Sequence, residues 1–235
     1  MKQDLGVLRN GIREGRRTLI NVNKYVLTAT SSNFGNMISM AAVSVFLPFL
    51  PTRPMQILPN NFLYDVCELP IPTDRVDDVD VLAPRRWDIA FIRNFMLCFG
   101  PLSSVFELLA FALLYGVMHA SAAVFQTALF VQSMATQVIV IFVIRTTRAA
   151  WRDRPCAALA LASVAVAGVA FALPFLGWSA FFGFVPVPPV VTGMVVALTL
   201  ACLALTEAAK HLFYRLNPIR AAAPLRPPAG PVPAR

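Results

Sequence analysis

Charge is scarce in this chain. Asp, Glu, Lys and Arg make up only 14% of its 235 residues, against 57% that are hydrophobic. A water-soluble domain of this length carries about a quarter charged residues, so a soluble globular fold is excluded at the outset. Histidine is nearly missing: His119 and His211 are the pair, far apart in the sequence. The four cysteines (Cys67, Cys98, Cys156 and Cys202) form no CxxC or CPC pattern. That spacing excludes a zinc ribbon and a soft thiolate site, and leaves buried, unreactive thiols as the reading. No Walker A loop occurs. The first 24 residues are polar and basic, ending in EGRRTLINVNK, and do not resemble a cleaved signal peptide.

What is present is a series of apolar runs: 25–47, 55–72, 92–117, 124–144, 156–173 and 188–208. Each is close to the ~20 residues that cross a hydrocarbon core as a helix. The prediction is an all-α polytopic membrane protein with six transmembrane helices. The second run is the weakest, carrying Pro59 and ending in PIP. Six spans put both termini on one side, and the basic residues say which. Lys2, Arg9, Arg13, Arg16, Arg17 and Lys24 precede the first span. Arg75, Arg85, Arg86 and Arg93 lie between the second and third, and Arg145, Arg148, Arg152 and Arg154 between the fourth and fifth. Lys210, Arg215, Arg220, Arg226 and Arg235 follow. Nineteen of the 20 Lys and Arg thus share a face, with Arg53 opposite. The positive-inside rule places that face, and both termini, in the cytoplasm. The net charge of +8 therefore reports topology, not a nucleic-acid partner. The expected organisation is a cytoplasmic stalk over 1–24, a six-helix membrane domain over 25–213 and a Pro/Ala-rich disordered tail over 214–235.

Against this apolar background, TSSNFGN (30–36) and NNFLYD (60–65) put amides and a carboxylate at bilayer depth. Intramembrane acids are costly and tend to be paired, neutralised or bound. Glu207 sits three residues before Lys210, which predicts an ion pair. Glu107 has no basic neighbour within a turn and is either protonated or turned to the bundle interior. Asn61 and Asp65 are four apart, on one helix face. Pro59 removes a backbone donor and frees carbonyl oxygen nearby. Asn33 and Asn36 also share a face, and Gly35 between them permits close helix approach. A carboxylate, amides and carbonyls are hard oxygen donors suited to Mg²⁺ or Ca²⁺. By spacing alone, interhelical packing and hydrogen bonding are the favoured account of the same residues, ahead of an ion site.

The segments GVLRNGIREGRRTLINVNKYVLTATSSNFGNM (6–37) and FLPFLPTRPMQILPNNFLYDVCELPIPTDRVD (46–77) resemble the fifth and sixth transmembrane helices of P-type cation pumps. SSNFGN, PRRWDIAFIRNFMLCFGPLSSVFELLAF (84–111) and FVQSMATQVIVIFVIRT (130–146) resemble the bacterial magnesium-transporting branch. The likeness runs from about residue 4 to about 215. It implies Mg²⁺ as the transported ion, held by Asn33 and Asn36 on the fifth helix and Asn61 and Asp65 on the sixth, with Glu107 and Gln132 as accessory residues. Gln132 stands where the family's eighth helix usually has glutamate, and Pro59 where it has an aliphatic residue. The resemblance also implies DKTGT, TGE and GDGxND motifs for ATP-driven phosphorylation, and none occurs. The expectation is that this chain has no ATPase activity alone, ATP entering only through phosphorylation, nucleotide-binding and actuator domains on the same or another chain. A split gene, a late start and a decayed copy all fit that pattern. The expected partners are the lipid bilayer of the inner membrane, a divalent cation and the catalytic half of a pump. The alternatives are a non-enzymatic relic, a membrane subunit modulating a full-length pump, and an independent channel or carrier. A carrier would be expected to show inverted repeats, which the six spans lack.

Overall fold

A computed structural model describes residues 5–76, 81–82, 87–147, 149–150 and 152–217. Lys2, Arg85, Arg86, Arg148, Arg220, Arg226 and Arg235 of the basic set, and the tail beyond Asn217, lie outside the described residues. The first helix, α1 (Leu5–Phe46), contains no proline and runs unbroken for 42 residues, so the expected boundary between stalk and membrane domain at residue 24 falls inside one continuous helix. It stops one residue before Leu47-Pro48, where the proline ring disfavours helical geometry in the residue ahead of it. Pro54 opens α2 (Pro54–Glu68), its missing N–H costing nothing in the first turn. Pro59 sits inside α2 without ending it, and removes the donor that would have reached the Met55 carbonyl. The helix ends at Leu69-Pro70, followed by a 3-10 turn over Ile71–Thr73.

Asp88 caps α3 (Ile89–Phe111), its side chain accepting from the Phe91 N–H at 3.0 Å. This helix runs on into a π-helical turn, Ala112–Val117. Next come α4 (Ala122–Ile144), α5 (Ala157–Ala172) with a 3-10 turn over Leu173–Phe175, and α6 (Pro189–Leu216). All described regular structure is helical. The helix from Ile89 through Val117, the one from Ala157 through Phe175, α4 and α6 are each long and apolar enough to cross a membrane. Their large outward side chains, among them Val105, Leu161, Val164 and Leu200, are exposed, as a lipid-facing surface requires.

The helix α4 is the centre of the bundle. It carries no charged residue, and its Gln126, Thr127, Gln132, Ser133, Thr136 and Gln137 are buried with its apolar side chains, the pattern of a helix with no solvent-facing side; it packs against all five others. From Phe125 to Ile144 nearly every residue is buried. One core cluster joins Tyr64 and Cys67 of α2 to Met134 and Ile141 of α4 and Val166 of α5. A second joins Phe106 and Ala110 of α3 to Phe125 of α4 and Cys202 of α6. At the basic end, Phe95, Phe99 and Phe213 stack α3 on α6, with ring centroids 4.3 to 5.6 Å apart. Cys67 and Cys202 are buried as expected, but Cys156 is half-buried and Cys98 is exposed. Cys98 falls on the outward stripe of α3 beside Leu97, and burial of its thiol was therefore the wrong expectation.

Candidate cation site

The polar side chains of α1 divide between two faces. Ser31, Ser32 and Ser39 are buried, whereas Asn33 is exposed and Asn36 half-buried. The buried face meets α3 through glycine. A Cβ placed on Gly35 would stand 2.7 Å from the Gly100 carbonyl oxygen, and one on Gly100 would stand 2.7 Å from Phe34 Cδ1. Only the absence of those side chains lets the backbones approach so closely. Ser104 Oγ uses this closeness to donate to the Gly35 carbonyl at 2.7 Å.

The same division holds on α2. Asn61 and Asp65 share an exposed stripe with Leu58 and Phe62, as their spacing of four requires. Tyr64, Cys67 and Glu68 face inward. The Tyr64 hydroxyl reaches the Thr28 carbonyl of α1 at 3.4 Å and the Glu68 carboxylate. Glu68 is a buried acid that sequence reasoning missed. The signal was there: an acid at the last turn of an apolar helix, four residues from an inward tyrosine.

Glu107 and Gln132 occupy the interior instead. Glu107 is 6% exposed and accepts a short hydrogen bond from Ser39 Oγ. Ser39 Oγ also lies 3.1 Å from the Asn36 carbonyl, so one hydroxyl stands between the backbone of a candidate ligand and a buried acid on α3. Of the two options left open for Glu107, the structure therefore shows the inward orientation. Gln132 is fully buried on α4, donating from Nε2 to Thr136 Oγ1 at 3.1 Å, while its Oε1 has no partner.

At the basic end a second polar cluster ties distant segments together. Asp74, 2% exposed, pairs with Lys24 Nζ at 3.1 Å and Arg145 Nη1 at 3.3 Å, and accepts from the Cys156 N–H at 3.1 Å. Burial pushes the Asp74 carboxyl upward, but the Lys24 ammonium, the Cys156 amide and the Arg145 guanidinium outweigh it and hold it below the usual carboxylate range. Asn21 Nδ2 donates to the Asp74 carbonyl at 2.8 Å. Lys210 and Glu207 form the ion pair their spacing predicted, at 2.9 Å, and Lys210 Nζ also reaches the Val143 carbonyl at 3.1 Å.

The six sequence-predicted residues therefore do not form one enclosed cage. Asn33, Asn61 and Asp65 are on the outer surfaces of α1 and α2, Asn36 is at the margin, and Glu107 and Gln132 are inside. No group of three or more His, Cys, Asp or Glu side chains able to hold a metal is found among the described residues. The available donors are amide, carboxylate, hydroxyl and carbonyl oxygens, which suit a hard cation and not a soft one.

Residues 49–212 match the family described as "Cation transporting ATPase, C-terminus". The chain is 38% identical over 221 residues to "Magnesium-transporting ATPase, P-type 1" of Escherichia coli (strain K12), covering 92% of this chain. It is 37% identical over 226 residues to the protein of that name in Salmonella typhimurium (strain 14028s / SGSC 2262). A further Salmonella typhimurium relative of the same name, from strain LT2, is 34% identical over 193 residues, 80% of this chain and 21% of that relative. The chain spans about a quarter (24%) of the length of the first two relatives.

Proposed function

Because the chain belongs to the cation-transporting ATPase C-terminal family, we propose that it acts as the six-helix membrane part of an ATP-driven pump that carries Mg²⁺ across the bacterial inner membrane. Asn33 and Asn36 of α1 and Asn61 and Asp65 of α2 are the proposed ligands of the transported ion. The observation that carries this reading is the exposure of Asn33, Asn61 and Asp65 on helices of a membrane bundle. An ionised carboxylate facing lipid costs several kcal/mol, whereas a divalent cation and the polar faces of further pump helices satisfy it. The magnesium assignment is supported by the name the relatives carry. Both termini lie in the cytoplasm, supported by the placement of 19 of 20 basic residues. The phosphorylating machinery acts on this bundle through the N-terminal half of α1.

The test is growth and Mg²⁺ uptake of a magnesium-requiring strain at low external Mg²⁺. Supplying the chain together with the catalytic part of a P-type pump is expected to restore uptake, and Asp65→Asn to abolish it. Rescue by the 235-residue chain alone, or full activity of the Asp65→Asn variant, would overturn the reading. A second reading is a membrane subunit that modulates a complete pump, and the neutral Gln132 amide, bonded to Thr136 inside α4, favours it. Co-purification with a full-length pump whose rate changes regardless of Asp65 would establish that role.

A further inference from the structure

We propose that Glu68 is an additional ligand of the transported cation, supplying with Asp65 the two negative charges a divalent ion needs. The proposal rests on the reading of Asp65 as a ligand and extends it to a residue that nothing in the resemblance assigns. Glu68 is the last residue of α2, one helical turn beyond Asp65 and 3% exposed. One side of its carboxylate is met by the Tyr64 hydroxyl, and the other oxygen, Oε1, is buried with no hydrogen-bond partner. Ion pairs among the described residues engage Asp74, Asp153, Glu14 and Glu207, and none engages Glu68.

A buried carboxylate with one oxygen unanswered is disfavoured unless a proton or a cation binds it. The groups around Glu68 offer no such charge. The Cys67 sulfur is 3.2 Å from Ser163 Oγ of α5, and Tyr64 and Cys67 pack into the apolar cluster with Met134 and Val138 of α4. Asp65 carries a charge of the same sign and repels it. Like charges at this spacing on a helix destabilise it, and a divalent cation between them turns repulsion into attraction on both sides.

Charge counting leads to the same place. The four proposed ligands Asn33, Asn36, Asn61 and Asp65 carry one negative charge between them, the accessory Glu107 being engaged with Ser39 of α1. Glu68 brings it to two, matching the ion. Neutral hard oxygens stand beside it: the Tyr64 hydroxyl has Ser32 and the Thr28 carbonyl of α1 within hydrogen-bonding reach. A carboxylate, a phenol, a hydroxyl and a carbonyl at the seam of α1 and α2 are the donor class that Mg²⁺ and Mn²⁺ take.

The experiment uses the full 235-residue chain in lipid nanodiscs with Mn²⁺ as the probe, bound Mn²⁺ followed by electron paramagnetic resonance and displaced with Mg²⁺. The wild type is expected to bind Mn²⁺ competitively with Mg²⁺. Glu68→Gln, which keeps the volume and the Tyr64 hydrogen bond, is expected to raise the Kd about tenfold or more by removing one unit charge beside the ion. Glu68→Asp keeps the charge on a shorter arm and is expected to recover part of the affinity. Thermal unfolding of each variant in EDTA separates this role from a packing role, which moves the unfolding temperature and leaves the Kd unchanged. If Asp65→Asn abolishes binding while both Glu68 variants bind as the wild type does, the role of Glu68 is overturned and that of Asp65 stands. If the wild type, both alone and with the catalytic part of a P-type pump added, binds no Mn²⁺, both fall.

Discussion

Asp74 gathers Lys24, Arg145 and the Cys156 amide around one buried carboxylate. Removing that charge leaves the fully buried Arg145 with only Asp153, 3.8 Å away, as counter-ion. Asp74→Asn is expected to cost about 3 kcal/mol of stability, the typical penalty for breaking a buried pair, read as a fall in unfolding temperature in nanodiscs. The sign of the pH effect follows from the depressed folded-state carboxyl. The Asp74 contribution is fully present above the ordinary carboxylate value of about 4 and is lost as pH falls through the lower folded value. Thermal unfolding of the wild type should therefore weaken more steeply in acid than that of Asp74→Asn; parallel curves would refute the assignment. Ser39→Ala leaves the buried Glu107 carboxylate with Ser133 alone beside it and is expected to cost about 1–3 kcal/mol, most of it returned when Glu107 is also made apolar. A double-mutant cycle showing simple additivity would count against that pair. The Glu207–Lys210 bond was legible because its partners are three residues apart. Asp74, by contrast, finds its partners 50, 71 and 82 residues away, and no local spacing announces such a meeting.

At the level of elements, the contact of α1 with α3 depends on two glycines, Gly35 and Gly100, that let the helices meet closely. Gly35→Ala would drive a methyl against the Gly100 carbonyl at 2.7 Å, and is expected to cost about 1–3 kcal/mol as the helices part. Gly11 lies on the same helix with nothing within 4 Å of its would-be Cβ. Gly11→Ala is expected to be neutral or to stabilise by up to about 1 kcal/mol. Equal unfolding temperatures for the two variants would show that the close approach contributes nothing. Five of the six apolar runs have helices that match or extend them, because length and apolarity carry that signal. The second did not fare as well: the run 55–72 became a helix of only 15 residues ending at Glu68, cut short by Pro70. The face assignments of Asn61 with Asp65 followed from spacing. What could not be read was that these faces turn away from α4 while Tyr64 and Glu68 turn toward the interior, since that depends on which neighbours arrive.

For the molecule as a whole, the uncharged and buried α4 acts as the shared partner of every other helix. Amide hydrogen exchange is expected to be slowest within residues 125–144 and fastest near the N-terminal end of α1, whose side chains from Val7 to Gly15 are exposed. Faster exchange in α4 than in α6 would contradict its central role. The length of α1 has a mechanical consequence. Its 42 residues make a rod of roughly 63 Å, without a proline hinge, and the bond from Lys24 to Asp74 fastens it at an intermediate point. That fulcrum leaves an arm of about 28 Å toward Leu5 and one of about 14 Å toward Asn33. A sideways swing of about 4 Å at the far end therefore arrives at Asn33 as about 2 Å with twice the force, a large fraction of the ~2.1 Å bond by which Mg²⁺ holds an oxygen.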